Sequence, residues 1–434
     1  MRCLTVWLML MTGLFFGVEA QNLTNTASFS LPAGVIVNKD SEIISTPAWD
    51  AVSRLNGELE AARTATNHDK LRIESLRAQE SEAHTRAMEE IETLNAAIYG
   101  SRHAELMRLG KAYSVVGAEL KFTLVNYPRV DGSTSTHPLG CLLACRLLGS
   151  DYEWVSDKTR YGADALFIWP GDNEEHRLAE YRLAAKIRAD NRLGAIINQV
   201  VAIHSGTYQA YEKLIRRESD LILVARPPSS DELALAGSNS VTLKVETVAL
   251  DAFVFIVNRQ NNIYDLTTTQ LKAIYSGAVT NWSQVGGRPA HISAYQRERN
   301  SGSQELMIDL FMRETPIQAG KAAGVENLVR FLMGGPYLAL TRDCDGIAYS
   351  VYYYEHFMAG SPMTRPIAVD GVLPTSETIR ARQYPYVSPV VAVIRADEPA
   401  NSEARRLWRW LFTEQGQSLI AESGYVPVSP RKVD

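Results

Sequence analysis

Cysteine is scarce in this sequence, and the positions of the few cysteines leave little room for a disulfide framework. Four occur among 434 residues, and Cys3 lies within the N-terminal segment. Cys141 and Cys145 are four residues apart on one predicted helix face, a spacing typical of core packing. With Cys344 they make an odd number, so they cannot all pair internally, and the presence of a disulfide stays open. No Cys/His cluster has metal-ligand spacing, so we predict no metal site and no cofactor.

An excess of positive charge is also missing. Lysine and arginine total 44 against 49 acidic residues, which gives a net charge of −5. This balance gives no indication of a nucleic-acid partner. Any affinity for an anion must therefore come from a local site.

The sequence lacks the signatures of the common hydrolases and nucleotide-binding enzymes. It has no Gly-x-Ser-x-Gly elbow, no His-Glu-x-x-His and no Walker loop. Thr134 and Ser135 stand close to His137, but adjacent positions at a helix start do not face one another. We therefore predict that the protein is not an enzyme.

Residues 1–20 are typical of a secretory signal peptide. They contain one early arginine, an apolar run over residues 4–18 and the sequence Val-Glu-Ala at the end, where a signal peptide has its cleavage region. The run is short for a membrane span, although an uncleaved anchor is the alternative. We expect cleavage near Ala20, a periplasmic or secreted protein, and no stable membrane insertion after cleavage. Cys3 precedes the apolar run and is not placed for lipid attachment.

Residues 21–115 are predicted to form a polar leader followed by a long helical arm. Residues 21–47 are rich in Ser, Thr and Asn, whereas residues 48–98 contain no proline and repeat apolar residues in a broken heptad. This pattern favours a long, coiled-coil-like helix over a stable coiled coil. Gly57 and residues 64–68 are places where the helix could divide into an antiparallel pair. The arm is either an added spacer or an element for self-association or docking.

Two stretches far apart in the chain share a glycine turn and hydroxyl residues at a predicted helix start. Residues 131–136 precede the apolar helix 139–148, and residues 301–303 precede the helix 305–312. Helix N-termini offer unpaired N–H groups to anions, and an arginine supplies a planar fork, although ordinary helix capping is the alternative. Because the pattern occurs twice, we predict two lobes that face one ligand. The predicted contacts are Ser133, Thr134, Ser135, Arg297, Ser301, Gly302 and Ser303.

Thr207 and Arg226 are two further candidates, each with an open alternative. Thr207 starts a predicted helix after a glycine and either binds the ligand or caps the helix. The segment before it, residues 195–203, is apolar enough to predict a buried strand. Arg226 follows the strand 220–225, where a doubly wound sheet places its binding residues. It either contacts an anion, points to solvent or pairs with a glutamate, whereas we expect Asp220 to be structural.

A series of short motifs runs through residues 120–427, and their collinear order is more specific than any one of them. They are Asp-Gly-Ser-Thr-Ser-Thr at 131–136, Leu-Lys-Ala-Ile-Tyr-Ser-Gly at 271–277, Thr-Asn-Trp at 280–282, Val-Gly-Gly at 285–287, residues 297–303, Asp-Gly-Ile-Ala-Tyr-Ser at 345–350, Asp-Gly-Val-Leu-Pro-Thr at 370–375, Tyr-Pro at 384–385, Gly-Gln at 416–417 and Gly-Tyr-Val-Pro at 424–427. In this order they resemble the phosphate-binding proteins of bacterial ABC importers.

The resemblance implies an α/β, two-lobed periplasmic-binding-protein fold (type II), preceded here by the helical arm. Residues 116–250 with 395–434 would form the first lobe and residues 251–394 the second, with hinge crossings near residues 250–258 and 384–394. In that family the ligand lies between the lobes, held by helix-start hydroxyls and amides, one arginine and usually an acidic residue. Arg226 stands where the acidic residue is expected, which puts proton-based discrimination of phosphate from sulfate in doubt.

The function implied is that of an exported protein that binds phosphate, or a similar tetrahedral oxyanion, for ABC-type import or sensing. Its partners would be the anion and an ABC permease, with self-association through residues 48–98 as a further expectation. The alternative is a scaffold, interaction or sensory protein without a transport role, assembled through the helical arm.

Overall fold

The computed structural model describes two compact units, residues 1–105 and 106–434. In the second unit it describes residues 116–156, 181–187, 192–317, 333–359, 361 and 363–433. In the first it describes residues 36–37, 43–45, 51–52, 54–55, 57–59, 61, 72–83, 85–86 and 90. The predicted signal peptide and the predicted break at residues 64–68 lie outside these residues.

The first unit contains a short strand pair and helical residues. β1 (Ile36–Val37) pairs antiparallel with β2 (Ile43–Ser45), within the segment predicted to be a polar leader. Both strands contain β-branched residues, which favour extended backbone, whereas the residues around them are mostly polar. The described residues between 51 and 61 and between 72 and 90 are helical, and Gly57 is among them.

A small apolar cluster holds the helical residues of the first unit together. Leu55 and Leu59 are four residues apart and pack with Leu76, and Ile73 and Ala83 lie against them. Helical neighbours at this spacing share one face, so the cluster follows from the 3.6-residue period.

The second unit is built on an eight-stranded mixed sheet. Its main path runs β3-β6-β13-β7-β10-β9, and β11 and β14 each pair with β7. β3 and β6 are parallel neighbours, which brings their carboxyl ends to the same edge of the sheet. The strands are β3 (Val130–Gly132), β4 (Tyr152–Ser156), β5 (Tyr181–Ala185), β6 (Leu221–Val224), β7 (Leu243–Asn258), β8 (Asp265–Leu266), β9 (Ser293–Ala294), β10 (Gly346–Val351), β11 (Thr364–Pro366), β12 (Ala368–Val369), β13 (Val387–Arg395) and β14 (Val426–Pro427).

The 16-residue strand β7 joins the two halves of this sheet. Residues 243–252 pair antiparallel with β13, and residues 253–257 pair antiparallel with β10. Its second half is fully buried and carries bulky apolar residues, so it forms the centre of the core. The predicted crossing segments therefore lie on two paired strands, β7 and β13.

Helices flank the sheet, and most of them have a serine or threonine at the N-cap. Ser229 and Thr267 each form a capping box, and Ser301, Ser402 and Thr413 accept a backbone N–H from the first turn. The helices are α1 (His137–Leu148), α2 (Arg192–Ile196), α3 (Thr207–Ile215), α4 (Ser230–Ser238), α5 (Thr268–Ser276), α6 (Gly302–Leu306), α7 (Gly335–Arg342), α8 (Ser376–Arg380), α9 (Glu403–Trp410) and α10 (Glu414–Glu422).

The strand predicted at residues 195–203 is wrong. Helix α2 occupies its start, and a π-helical turn, Ile197–Val201, follows it. Within the helical residues, Ile196 and Val200 are exposed four positions apart, whereas Ile197 is buried. Residues 195–201 of the apolar run are therefore helical with one exposed side, a case that run length alone does not separate from a buried strand.

The cysteines of α1 pack in the core, as their spacing predicted. Cys141 and Cys145 are fully buried with their sulfur atoms 3.9 Å apart, and both are free thiols, as is Cys344. Among the described residues, none of the helices combines the length and the apolar character needed to cross a membrane.

Candidate functional site

The first hydroxyl cluster, residues 133–136, follows β3 at the edge of the sheet. Ser133 Oγ lies 3.0 Å from Thr136 Oγ1 and 3.4 Å from Ser135 Oγ. Thr136 Oγ1 also donates to the carbonyl of Leu223 in β6, and the Ser135 carbonyl accepts from Tyr425. These bonds fix the turn, while the first amides of the helical turn 134–136 keep the anion-binding character of a helix start.

Gly132 is required where this turn touches the neighbouring strand. A Cβ at this position would lie 2.3 Å from the carbonyl oxygen of Leu223. The turn therefore approaches β6 more closely than any residue with a side chain could.

The second hydroxyl cluster, residues 301–303, opens α6. Ser301 is the N-cap, and its hydroxyl accepts the N–H of Gln304 at 3.3 Å. Ser303 is 2% exposed, and its hydroxyl has no hydrogen-bond partner. A buried hydroxyl without a partner carries a desolvation cost of about 1–3 kcal/mol, so an incoming ligand atom would be favoured there.

Thr207 links the two hydroxyl clusters. It is buried at the first position of α3, and the preceding Gly206 donates its N–H to the carbonyl of Gly132 at 3.2 Å. The Thr207 hydroxyl oxygen lies 2.7 Å from the point that a Cβ on Gly302 would occupy. Residues predicted on opposite lobes are therefore in contact here, and glycine at 302 is what permits the approach.

Ser205, two residues before Thr207, serves a structural role. Its hydroxyl donates to Asp131 Oδ2 at 2.7 Å and its N–H donates to Asp131 Oδ1 at 2.8 Å. Lys213 Nζ lies 3.5 Å from the same carboxylate. Asp131 thus ties the end of β3 to the start of α3.

The loop carrying Arg297 is held by two polar side chains. The Arg297 N–H donates to Gln304 Oε1 at 3.0 Å and to the Tyr349 hydroxyl at 2.9 Å. Tyr349 and Gln304 are also hydrogen-bonded to each other. Gln304 was not among the predicted contacts, although it directly follows the Ser-Gly-Ser motif in the sequence.

The Arg297 guanidinium is half-buried and forms no ion pair in the part of the chain that the structure describes. Its Nη1 approaches the Met333 sulfur at 3.5 Å, and its Nε has no hydrogen-bond partner. Desolvation lowers the pKa of Arg297 from its ordinary value, against the influence of Tyr349 and Glu298. A partly desolvated cation is stabilised when an anion binds next to it.

In contrast to Arg297, Arg226 forms an ion pair with a glutamate. Its two terminal nitrogens donate to the two carboxylate oxygens of Glu232 at 2.7 and 2.8 Å, and both side chains are at most 2% exposed. Arg226 Nη2 also lies 3.5 Å from the carbonyl of Asn300, just before the second hydroxyl cluster. Of the alternatives left open for Arg226, the structure has the pairing with a glutamate.

Asp220 is structural, as expected from its place before β6. Its carboxylate accepts from Arg129 Nη2 at 2.6 Å and from the Arg129 N–H at 3.0 Å, and Arg395 lies 3.6 Å away. These contacts tie β3, β6 and β13 together at the edge opposite the hydroxyl clusters.

Comparison with known proteins places this geometry in context. A family model described as the PBP superfamily domain matches residues 197–415, a little more than half of the chain. Among curated proteins, the phosphate-binding protein PstS of Staphylococcus aureus (strain MRSA252) is 23% identical over 243 residues, covering 54% of this chain and 71% of that protein. PstS of the S. aureus strain USA300 is 24% identical over 245 residues, with the same coverage.

Solved structures are similar at lower identity. A putative phosphate ABC transporter substrate-binding protein from Clostridium perfringens, with bound phosphate, is 20% identical, with a TM-score of 0.46, covering 70% of this chain and all of that one. An ABC-type phosphate transport receptor from Vibrio cholerae is 18% identical, with a TM-score of 0.45, covering 69% of this chain and 99% of that one. The curated relatives confirm the resemblance that the collinear motifs indicated.

Proposed function

The chain belongs to the PBP superfamily, and from that membership we propose that it is an exported solute-binding protein that binds phosphate between two lobes for an ABC importer. The superfamily bears out the predicted α/β, two-lobed fold class. The names of the curated relatives support phosphate as the ligand. Export after signal cleavage near Ala20, delivery to a permease and the absence of catalysis are parts of this proposal.

One observation carries the proposal: the half-buried Arg297 guanidinium forms no ion pair among the described residues, and Arg297 belongs to the loop that leads into a hydroxyl-rich helix start. An isolated buried cation is unfavourable, and most buried arginines are paired. The same molecule shows that pattern at Arg226, which is fully paired with Glu232. The contrast supports Arg297 as the residue whose partner is the ligand.

The residue roles follow from this contrast. Arg297 supplies the charge, Ser301, Gly302 and Ser303 supply hydroxyls and close backbone approach, and Ser133, Thr134 and Ser135 supply donors from the first lobe. The contact between Thr207 and Gly302 supports Thr207 as a ligand residue. Arg226 has its charge satisfied, so we assign it to support of the second hydroxyl cluster through Asn300, and not to direct anion binding.

The lobe boundaries belong to the proposal as well. Residues 116–250 with 395–434 form the first lobe and residues 251–394 the second, with the hinge on β7 and β13. The switch in pairing of β7 from β13 to β10 after residue 252 supports a boundary at that point.

Calorimetric titration of phosphate into the purified, extensively dialysed protein tests the function. We expect one phosphate to bind per chain, and phosphate ester substrates to remain unhydrolysed. Absence of binding heat together with absence of a phosphate-induced rise in melting temperature would refute the proposal.

The helical arm supports a second candidate role, self-association. The apolar cluster around Leu55, Leu59 and Leu76 is small, so packing against another copy would add buried area. Light scattering of the full chain across a hundredfold range of concentration tests this role. A monomer throughout would leave the arm as a spacer.

A further inference from the structure

Two buried acceptors converge on the backbone N–H of Arg297. Gln304 Oε1 accepts this N–H at 3.0 Å, and the Tyr349 hydroxyl oxygen accepts it at 2.9 Å. One acceptor is enough to satisfy a backbone N–H, so the second bond exceeds what the group needs. Tyr349 is 1% exposed and Gln304 is 5% exposed. The backbone at residue 297 is therefore held from two sides by side chains that are shielded from water.

The two acceptors are also bonded to each other. An amide oxygen only accepts hydrogen bonds, so the Tyr349 hydroxyl donates and Gln304 Oε1 accepts. Burial raises the pKa of Tyr349, so the phenol keeps the proton that this bond uses. The Tyr349 hydroxyl is thus not left to donate to a ligand, and its effect on a ligand has to pass through the Arg297 backbone.

Both acceptors are fixed by regular elements of the fold. The Tyr349 ring, on β10, has its centroid 5.3 Å from that of Phe253 on β7 and 5.7 Å from that of Tyr275 on α5. Aromatic rings at such separations hold one another in a preferred geometry. Gln304 lies in the first turn of α6, where its N–H donates to the Ser301 hydroxyl at 3.3 Å. The network therefore connects a strand and a helix to the arginine loop.

The Arg297 side chain depends on this attachment. Among the described residues its guanidinium forms no ion pair, its Nη1 contacts the Met333 sulfur at 3.5 Å, and its Nε has no hydrogen-bond partner. A guanidinium with so few bonds of its own lies where its backbone places it. A group that binds a ligand with a planar fork has to be held to within about 0.5 Å of its productive position.

We propose that Tyr349 and Gln304 are positioning residues of the candidate site, which aim the Arg297 guanidinium at the bound anion without contacting the anion themselves. This inference rests on the proposed function and deepens it, because the affinity for phosphate then depends on two buried side chains behind the ligand-binding arginine.

The first test is Tyr349→Phe, which removes only the hydroxyl. Calorimetric titration of the full chain with phosphate should give a dissociation constant about tenfold weaker than in the wild type, because one of the two bonds that hold the arginine is lost. Tyr275→Phe is the matched control: Tyr275 belongs to the same aromatic cluster, is 1% exposed and donates to the carbonyl of Ile347 at 3.4 Å. Its dissociation constant should stay within about twofold of the wild-type value. Equal weakening in both variants, or an unchanged constant in Tyr349→Phe, would overturn the proposal.

The second test asks whether Tyr349 acts through the guanidinium. Lysine carries a point charge on a flexible stem with rotatable donors, so it tolerates a displaced backbone better than the planar fork does. In an Arg297→Lys background, Tyr349→Phe should therefore weaken phosphate binding by less than about threefold. The same loss as in the wild-type background would mean that Tyr349 acts by another route, and it would overturn the assignment.

The third test is Gln304→Met, which removes the acceptor that the other two groups share. We expect a dissociation constant about tenfold weaker, and less than about threefold further weakening when Tyr349→Phe is added, because the two acceptors act as one network. Fully additive losses would contradict the network. A wild-type protein that binds no phosphate would refute the proposed function, and this inference with it. Wild-type binding that is insensitive to these substitutions would overturn the inference alone.

Discussion

Replacement of Arg297 by alanine is the perturbation that tests the candidate site most directly. The guanidinium is half-buried, its Nε has no hydrogen-bond partner, and among the described residues its Nη1 contacts the Met333 sulfur. In the free protein its burial is unfavourable, so removing it should leave stability unchanged or raise it slightly. In the bound protein it should form charge-assisted hydrogen bonds with the anion. The variant is therefore expected to lose binding without losing stability.

The size of the loss follows from the same burial. Truncating one partner of a desolvated, hydrogen-bonded charge pair costs about 2–5 kcal/mol, which corresponds to roughly a 30- to 4000-fold weaker dissociation constant. Arg297→Lys keeps the charge but loses the planar fork, so it should fall between alanine and the wild type. Arg299→Ala is the matched control, because Arg299 belongs to the same loop but is 73% exposed and pairs with Asp231 at the surface. Its effect should stay under about tenfold, because exposed ion pairs contribute little.

Calorimetry and thermal melts with and without phosphate are the assays. Wild-type protein should gain about 2.7 kcal/mol of stability at a ligand concentration one hundred times the dissociation constant. Arg297→Ala should melt at or above the wild-type temperature without phosphate and show no such gain at the same concentration. Affinity of Arg297→Ala within threefold of the wild type would remove this arginine from the site.

Three further predictions concern residues around the site and at the hinge. Gly302→Ala should weaken phosphate binding at least about tenfold, because the added Cβ would lie 2.7 Å from the Thr207 hydroxyl oxygen. Gly237→Ala is the control: Gly237 has open space around it, so this variant should bind phosphate normally in the same titration. Glu232→Gln should lower the free energy of unfolding, measured with urea, by about 3–5 kcal/mol, because it leaves Arg226 buried and unpaired. The double variant Arg226→Met, Glu232→Leu removes both charges and should recover most of that stability. Burial raises the pKa of the Asp251 carboxyl to about 7. The unfolded value is about 3.9, so the stability that the protonated form provides is lost as pH rises from about 4 to about 7, on the order of 4 kcal/mol in all. Asp251→Asn should abolish this decrease in stability. If the urea midpoint changes with pH in the same way in the variant and the wild type, the decrease belongs to another group.

Much of the fold could be predicted because its signals are local or collinear. The turns at residues 131–136 and 301–303 combine glycine with hydroxyl caps, and these residues form helix starts wherever the following segment is helical. The collinear order of the motifs predicted the fold class. In contrast, the apolar run 195–203 has no local feature that separates strand from helix, and its one-sided exposure is a tertiary property.

The roles of the two arginines could not be separated from the sequence. Arg226 and Arg297 both precede a helix start, and both were candidates for anion contact. What distinguishes them is the position of Glu232, six residues after Arg226 and one turn into α4, where its side chain folds back onto the guanidinium. The sequence contains this spacing, but many glutamates lie at similar distances from an arginine without pairing. Only the three-dimensional contacts show which charge is still available.

The contacts between the proposed lobes also indicate why closure would depend on the ligand. Arg226 reaches the Asn300 carbonyl at 3.5 Å, and Arg299 reaches Asp231 at 3.2 Å on the surface. A long hydrogen bond and an exposed ion pair contribute about 1 kcal/mol or less each. If closure covers the Arg297 guanidinium further, its desolvation opposes closure until an anion supplies an opposite charge. The differential affinity of the ligand for the closed state would then provide the free energy of closure. Small-angle scattering that finds the protein equally compact with and without phosphate would contradict this coupling.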